Sequence, residues 1–255
     1  MIHAIKFQNV SKKFNNAGYN AVDHVNLNIN EGEFITILGS SGCGKTTLLK
    51  LINRLYEADE GKIMLFGEDV ETVDVIKVRR RIGYVIQQVG LFPHMSIADN
   101  IATVPRLLKW DQEKINARVD ELLSLTGLAP DKFRNRYPDQ LSGGQQQRVG
   151  LARALAVNPK IMLLDEPFGA VDSIIRLKLQ DELLQIHGGL KKTFLFVTHD
   201  IEEAFKMGTR VIIMNEGKII QFDTPENIIK APEDTFVDSL IESARQKEQF
   251  WGRFL

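Results

Sequence analysis

Residues 39–47 read Gly-Ser-Ser-Gly-Cys-Gly-Lys-Thr-Thr. Gly39, Gly44, Lys45 and Thr46 fit the spacing G-x-x-x-x-G-K-S/T, whose chemistry is the holding of phosphates. Glycines let successive backbone N–H groups turn inward into an anion nest without Cβ clashes. A helix that starts there adds unpaired N–H groups and the positive end of its dipole. Lys45 offers a point charge to β- and γ-phosphates, and the Thr46 hydroxyl is a hard oxygen donor of the kind Mg²⁺ takes.

The flanks supply the strand and helix that this pattern needs. Glu33–Leu38 (EFITIL) is β-branched and apolar and reads as a buried strand. Leu48, Leu49, Leu51, Ile52 and Leu55 recur at helical spacing, which predicts a helix over 45–55.

Three more stretches carry chemistry. In IMLLDEP, Ile161–Leu164 is a continuous apolar run suited to a central parallel strand. Asp165 then falls at the strand's carboxyl end, where open α/β sheets bind ligands, and can hold the hydration shell of a magnesium ion. Glu166 beside it is placed to polarise a water for in-line attack on a γ-phosphate. In LSGGQQQRV, residues 141–149, Ser142 and Gln145 have capping-box spacing; the glycines between them open the helix mouth as a second anion site, or simply as a flexible helix start. In VTHD, His199 follows the apolar strand Phe194–Val197. Gln87, after the strand 82–86, and Asp172, in Gly169–Asp172, carry little weight individually.

Composition limits the alternatives. The chain has 255 residues, 44% hydrophobic and 25% charged, which suits one large globular domain or two interleaved ones. A net charge of −1 gives no global basic field for nucleic acid. The run Lys77, Arg79, Arg80, Arg81 reads first as a solvated helix end and only second as a nucleic-acid patch. One cysteine excludes an intramolecular disulfide framework and suits a reducing compartment. No signal-peptide pattern opens the sequence and no apolar run approaches the roughly 18 residues of a membrane span. The expectation is a cytosolic chain.

Strands are expected at 2–8, 22–29, 33–38, 62–66, 82–87, 160–165, 193–197, 210–214 and 218–222, with a polar connection at 15–20 and a turn at Asn215-Glu216-Gly217. From about 95 to 157 the pattern is helical; Ile115, Val119, Leu122 and Leu123 form one apolar face, and Gly127 and Pro130 punctuate the block. The fold class is α/β with a helical insertion.

Taken in order, the loop at 39–47, Gln87, LSGGQ, LLDE, Asp172 and His199 resemble the nucleotide-binding subunit of ATP-binding-cassette (ABC) transporters, over residues 1 to about 235. The resemblance implies a phosphate-loop NTPase core: a mixed, largely parallel sheet flanked by helices, an antiparallel β subdomain and an inserted helical subdomain. The ATPase domain would be 1–235, with the core at about 1–90 and 158–235, the helical subdomain at about 91–157, and 236–255 as a C-terminal tail. It implies ATP and Mg²⁺. ATP would be bound by Phe14, Gly39, Ser40, Ser41, Gly42, Cys43, Gly44, Lys45, Thr46, Thr47, Gln87, Ser142, Gly143, Gly144, Gln145, Asp172 and His199. Phe14 would stack on adenine, where tyrosine is commoner, and Tyr19 is a possible substitute. Mg²⁺ would be held by Thr46, Gln87 and Asp165. Glu166, His199, Lys45 and Gln87 would carry catalysis, with His199 supporting Glu166. Ser142, Gly143 and Gly144 would meet the γ-phosphate bound by a second subunit, and Asp172 would cross between the two. The usual S-A-L-D before the crossing aspartate is Gly-Ala-Val-Asp here.

The resemblance is closer to importers. Phe92–Ile101 is similar to the segment that receives a permease coupling helix, and Ile97–Trp110 and Pro167–Asp172 look most like importers of glycine betaine, carnitine or choline. ATPases of polar amino-acid importers and non-transport ABC ATPases are the alternatives; the guanine-reading N-K-x-D of GTPases is missing, and Glu166 argues against a non-hydrolysing subunit. The implied partners are a second copy in a head-to-tail, ATP-dependent homodimer, or a paralogue in its place; integral membrane permease subunits; and indirectly a solute-binding protein. No nucleic acid is implied. The implied location is the cytoplasmic face of the cell membrane. Paired regulatory nucleotide-binding domains, which many betaine-type subunits carry after the core, would be absent or cut away. Phe250–Leu255 is aromatic-rich for a tail, either docked on a neighbour or frayed. Finally, Cys43 sits inside the nest, a setting that favours thiolate and would let a maleimide block the phosphate site; equally, it is a small residue whose sulfur turns into the protein.

Overall fold

The computed structural model describes residues 3–14, 18–87, 90–169 and 171–252. Asn15–Ala17 of the expected connection, Ala170 and the last three residues lie outside the described residues. Two compact units emerge, one of Met1–Val78 with Thr193–Leu255 and one of Arg79–Lys192.

The first unit opens with β1 (His3–Lys13), β2 (Asn20–Asn30), β3 (Phe34–Gly39), α1 (Lys45–Ile52), β4 (Glu60–Leu65) and β5 (Glu68–Asp69). Helix α2 (Val75–Arg80) spans the boundary. The second unit holds β6 (Ile82–Val85), α3 (Ile97–Leu107), α4 (Gln112–Leu125), α5 (Pro130–Phe133), a 3₁₀ turn at Pro138–Gln140, α6 (Gly143–Leu155), β7 (Ile161–Asp165) and α7 (Ser173–Leu190). The chain ends in the first unit with β8 (Thr193–Val197), α8 (Ile201–Met207), β9 (Arg210–Asn215), β10 (Lys218–Asp223), α9 (Pro225–Lys230) and α10 (Thr235–Gly252).

In the first unit β3 is flanked by β8 and β9, both parallel to it, and β10 pairs antiparallel with β9. Every residue of β3 and β8 is buried, as expected of strands covered on both faces. A separate antiparallel sheet has the order β2-β1-β4-β5. In the second unit β6 and β7 pair in parallel, Ile82 opposite Ile161 and Val85 opposite Leu164. The mixed α/β fold with an antiparallel part is the one the sequence implied. Among the described residues no helix is long and apolar enough to cross a membrane.

The expected helix at 45–55 stops at Ile52, because Asn53 caps it and Arg54 takes a left-handed φ of 52°. The helical block after residue 95 is broken by left-handed backbone at Lys109 (φ 56°), between α3 and α4, and at Gly127 (φ 70°), between α4 and α5. In α4, Ile115, Val119, Leu122 and Leu123 are the buried residues, as their spacing predicts. The expected tail at 236–255 is corrected over its first two turns. Residues 236–252 belong to α10, and Val237 and Ile241 sit in a buried cluster with Leu38, Ala204, Val211, Ile213 and Ile228.

Candidate functional site

Loop 39–47 lies between β3 and α1, in the first unit. Gly42 and Gly44 have φ of 78° and 107°, conformations that favour glycine. Gly39 and Gly44 also have no room for a side chain. A Cβ on Gly39 would stand 2.2 Å from the Met214 carbonyl oxygen, and one on Gly44 would stand 2.1 Å from that of Ala21. Helix α1 starts at Gly44 with no side-chain cap and no acidic residue in its first turn, so its dipole meets an anion unopposed. Lys45 is buried, and its Nζ donates to the carbonyls of Gly39 and Ser40, both at 2.8 Å. No carboxylate neutralises it in these contacts, so the ammonium charge stays at the loop for a phosphate.

The turn at residues 215–217 braces this loop, a role beyond the hairpin connection expected of it. Gly217 N–H donates to the Cys43 carbonyl at 3.0 Å, and Asp23 N–H donates to the Gly217 carbonyl at 2.9 Å. A Cβ on Gly217 (φ 80°) would come within 2.6 Å of the Asn20 oxygen. Cys43 itself is 3% exposed, with its sulfur 3.9 Å from Lys45 Nζ. Burial pushes its thiol pKa up, against the smaller opposing pull of Lys45. Of the two readings of Cys43, the open, activated thiolate is corrected and the other matches the structure: the sulfur is turned into the protein, and the backbone of Cys43 makes the contact with the turn. Ser40, Ser41 and Gly42 are placed at the loop's mouth, the two serines exposed, while Thr46 and Thr47 are half-buried in the first turn of α1.

Two other expected residues belong to this unit. Phe14 packs edge-on against Tyr56, with ring centroids 5.1 Å apart and Lys12 Nζ 5.8 Å from its ring. Tyr19 is 65% exposed. His199 is exposed just past β8, between Thr198 and Asp200, the residue that caps α8.

The second unit gathers the carboxylates. Asp165 ends β7 buried and accepts the Tyr84 hydroxyl at 3.3 Å, a partner that nothing in the sequence singled out. Glu166 is half-buried with a left-handed φ of 45°, and a turn closed by Gly169 N–H on its carbonyl at 3.1 Å holds it. Such a backbone costs a non-glycine residue about 1–3 kcal/mol, a cost met most often at functional sites. Gln87, exposed after β6, donates from Nε2 to Glu166 Oε2 at 3.4 Å.

The same unit holds the second glycine motif. Ser142 caps α6: its oxygen accepts Gln145 N–H at 3.4 Å, and its own N–H donates to Gln145 Oε1 at 3.0 Å. The expected capping box is present. Gly143 is exposed and open, whereas a Cβ on Gly144 would stand 3.0 Å from Ile175. Ile175 N–H in turn donates to Asp172 Oδ1 at 3.0 Å. The helix mouth and the exposed Asp172 thus meet on one residue, Ile175.

A glycine-braced phosphate loop on one unit and a strand-end Asp-Glu pair with a glycine-opened helix on the other are features of a nucleotide-binding cassette. The family pattern described as ABC transporter matches residues 22–169, and the chain belongs to that family. It is 51% identical, over 94% of its own length, to the carnitine transport ATP-binding protein of Listeria monocytogenes serotype 1/2a (strain 10403S), and spans 60% of that relative. It is 48% identical, over 98% of its length and 77% of the relative's, to the glycine betaine uptake system ATP-binding protein of Escherichia coli (strain K12). Among solved structures it resembles a dimeric, post-hydrolysis ATP-binding cassette bound to ADP and Pi. That likeness has a TM-score of 0.77 and 37% identity, and covers 87% of this chain and 98% of the other.

Proposed function

We propose that the chain is the ATP-binding and ATP-hydrolysing subunit of an importer whose solute is a quaternary ammonium osmoprotectant: glycine betaine, carnitine or choline. The observation that carries the ATP part is the loop at 39–47, where crowded glycines, an uncapped helix start and a buried Lys45 held by two backbone carbonyls converge. The solute class rests on the names of the Listeria and Escherichia relatives and on the sequence of Ile97–Trp110.

Backbone amides of 39–47 and Lys45 hold the β- and γ-phosphates, Phe14 takes the adenine, and Glu166 polarises the attacking water with support from His199. The Thr46 hydroxyl, the Gln87 amide oxygen and the Asp165 carboxylate are all hard oxygen donors, a set that fits Mg²⁺. When bound, the ion would neutralise charge developing on the phosphates. Ser142, Gly143, Gly144 and Gln145 of one chain meet the γ-phosphate held by its partner, with Asp172 beside them, in a head-to-tail pair. ATP joins the two chains and hydrolysis lets them part. The pair works at the cytoplasmic face of a membrane against permease subunits fed by a solute-binding protein.

Sedimentation of Glu166→Gln with Mg²⁺ and ATP tests this. The variant should run as a dimer in saturating ATP and as a monomer without it, while the wild type releases phosphate and stays monomeric. A variant that remains monomeric in ATP would overturn the two-chain site, and a wild type that releases no phosphate would overturn the ATPase assignment.

A further inference from the structure

The segment that carries His199 is fixed by a buried acid that none of the roles above uses. Glu203, on α8, is 6% exposed, and its Oε2 accepts the Thr198 hydroxyl at 2.5 Å. The Thr198 oxygen in turn accepts Asp200 N–H at 3.0 Å. Asp200 Oδ1 accepts the N–H groups of Glu202 and Glu203 at 2.9 and 3.3 Å. On the strand side, Thr198 N–H donates to the Ile37 carbonyl at 3.0 Å. The base of α8 is tied to the same strand, because the Thr36 hydroxyl donates to the Ala204 carbonyl at 2.9 Å. Both neighbours of His199 are therefore pinned, and both pins lead to β3, the strand that enters loop 39–47. His199 itself is exposed beside this frame.

A hydroxyl has one proton to give and two lone pairs. Committing that proton to a carboxylate oxygen leaves a lone pair for Asp200 N–H, and so sets the direction in which the chain leaves Thr198. We propose that Glu203 is a positioning residue for His199, acting through Thr198. The role needs an acceptor oxygen at 203 and a hydroxyl at 198, and no contact of either with nucleotide. It rests on the assignment of His199 to ATP hydrolysis.

The test is steady-state ATP hydrolysis by single and double variants of the whole chain. Thr198→Val and Glu203→Ala should lower kcat about tenfold to a hundredfold, the scale of a misplaced catalytic group, with KM for ATP within about twofold. Thr198→Ser and Glu203→Gln keep the hydroxyl and the acceptor and should keep kcat within about threefold of wild type. In a His199→Ala background Thr198→Val should have no further effect, because the two act as one unit. An unchanged kcat in Thr198→Val, an additive loss in the His199→Ala background, or failure of the serine to rescue would each overturn the proposal. If the wild type does not hydrolyse ATP, or His199→Ala keeps full kcat, it is the ATPase assignment of His199 that fails. A second measurement stands apart from turnover. In imidazole NMR spectra without nucleotide, Thr198→Val should shift the His199 resonances and leave those of His3, His24, His94 and His187 in place. An unmoved His199 signal would overturn the positioning role whatever the kinetics.

Discussion

The backbone N–H of Gly217 donates to the carbonyl of Cys43 across 3.0 Å, so a hairpin turn distant in sequence holds the middle of the phosphate loop. Glycine is required there twice over, by a φ of 80° and by the Asn20 oxygen 2.6 Å from where a Cβ would lie. Gly217→Ala should therefore destabilise the protein by about 1–3 kcal/mol and weaken ATP binding with it. Thermal unfolding and titration with a fluorescent ATP analogue check both; a variant with wild-type melting and affinity would show that the turn does not brace the loop.

Lys45 and Glu166 should separate binding from turnover. On the proposed roles, Lys45→Ala removes a charge that would meet ground-state phosphates, so nucleotide affinity should fall by roughly tenfold or more. Glu166→Gln keeps size and hydrogen bonding and loses the proposed base, so affinity should hold while turnover collapses. Equilibrium binding alongside phosphate release decides it, and equal losses of affinity in both would contradict the roles.

Cys43 should be inert in the folded protein. Alkylation needs thiolate, and burial raises this thiol's pKa. At about pH 8 the folded chain should react with iodoacetamide roughly a hundredfold more slowly than the chain unfolded in guanidinium chloride. The same shift makes stability depend on pH. The folded pKa lies above the unfolded value of about 8.5, so the contribution of the buried thiol is fully present below that pH and is lost as pH rises through the folded pKa. Cys43→Ala should flatten that alkaline loss. Rapid labelling of native protein, counted as one adduct by mass spectrometry, would mean that the sulfur is open after all.

Helix α10 should behave as core at one end and surface at the other. Ile241 is 4% exposed, and Ile241→Ala should cost about 2–5 kcal/mol. Phe250 is 52% exposed, and Phe250→Ala should change stability by less than about 0.5 kcal/mol. Denaturant unfolding of the two variants provides the comparison; equal midpoints would return residues 236–255 to the status of a tail.

Burial accounts for which elements are legible in the amino-acid sequence and which are not. Strands β3, β7 and β8 are legible because burial of every residue leaves runs of mostly apolar and β-branched residues with no polar alternation. The strand-end positions of Asp165, Glu166 and His199 follow from those runs. Helix α7 is hidden because Ile174 and Leu177 are 71% and 56% exposed, which blurs its apolar face. Helix α10 is hidden although Phe236, Val237, Leu240 and Ile241 recur at helical spacing, because the short apolar stripe is buried only against strands far away in sequence. Cys43 misleads because its local charge can be read from the sequence and its depth cannot. Glu203 looks like any surface acid beside Glu202 until the fold encloses it.

The crowding around Gly39, Gly44 and Gly217 bears on whether this loop is portable. Its walls include the carbonyl oxygens of Met214 and Ala21, and the Gly217 turn that braces it stands against that of Asn20, three points supplied by other strands. An engineer who transplanted residues 39–47 into a new strand–helix junction would move the amides and leave the walls behind. The graft would match the motif letter for letter and still sample many shapes in its host. A transplant that works must bring the β9–β10 turn and the start of β2 along with it.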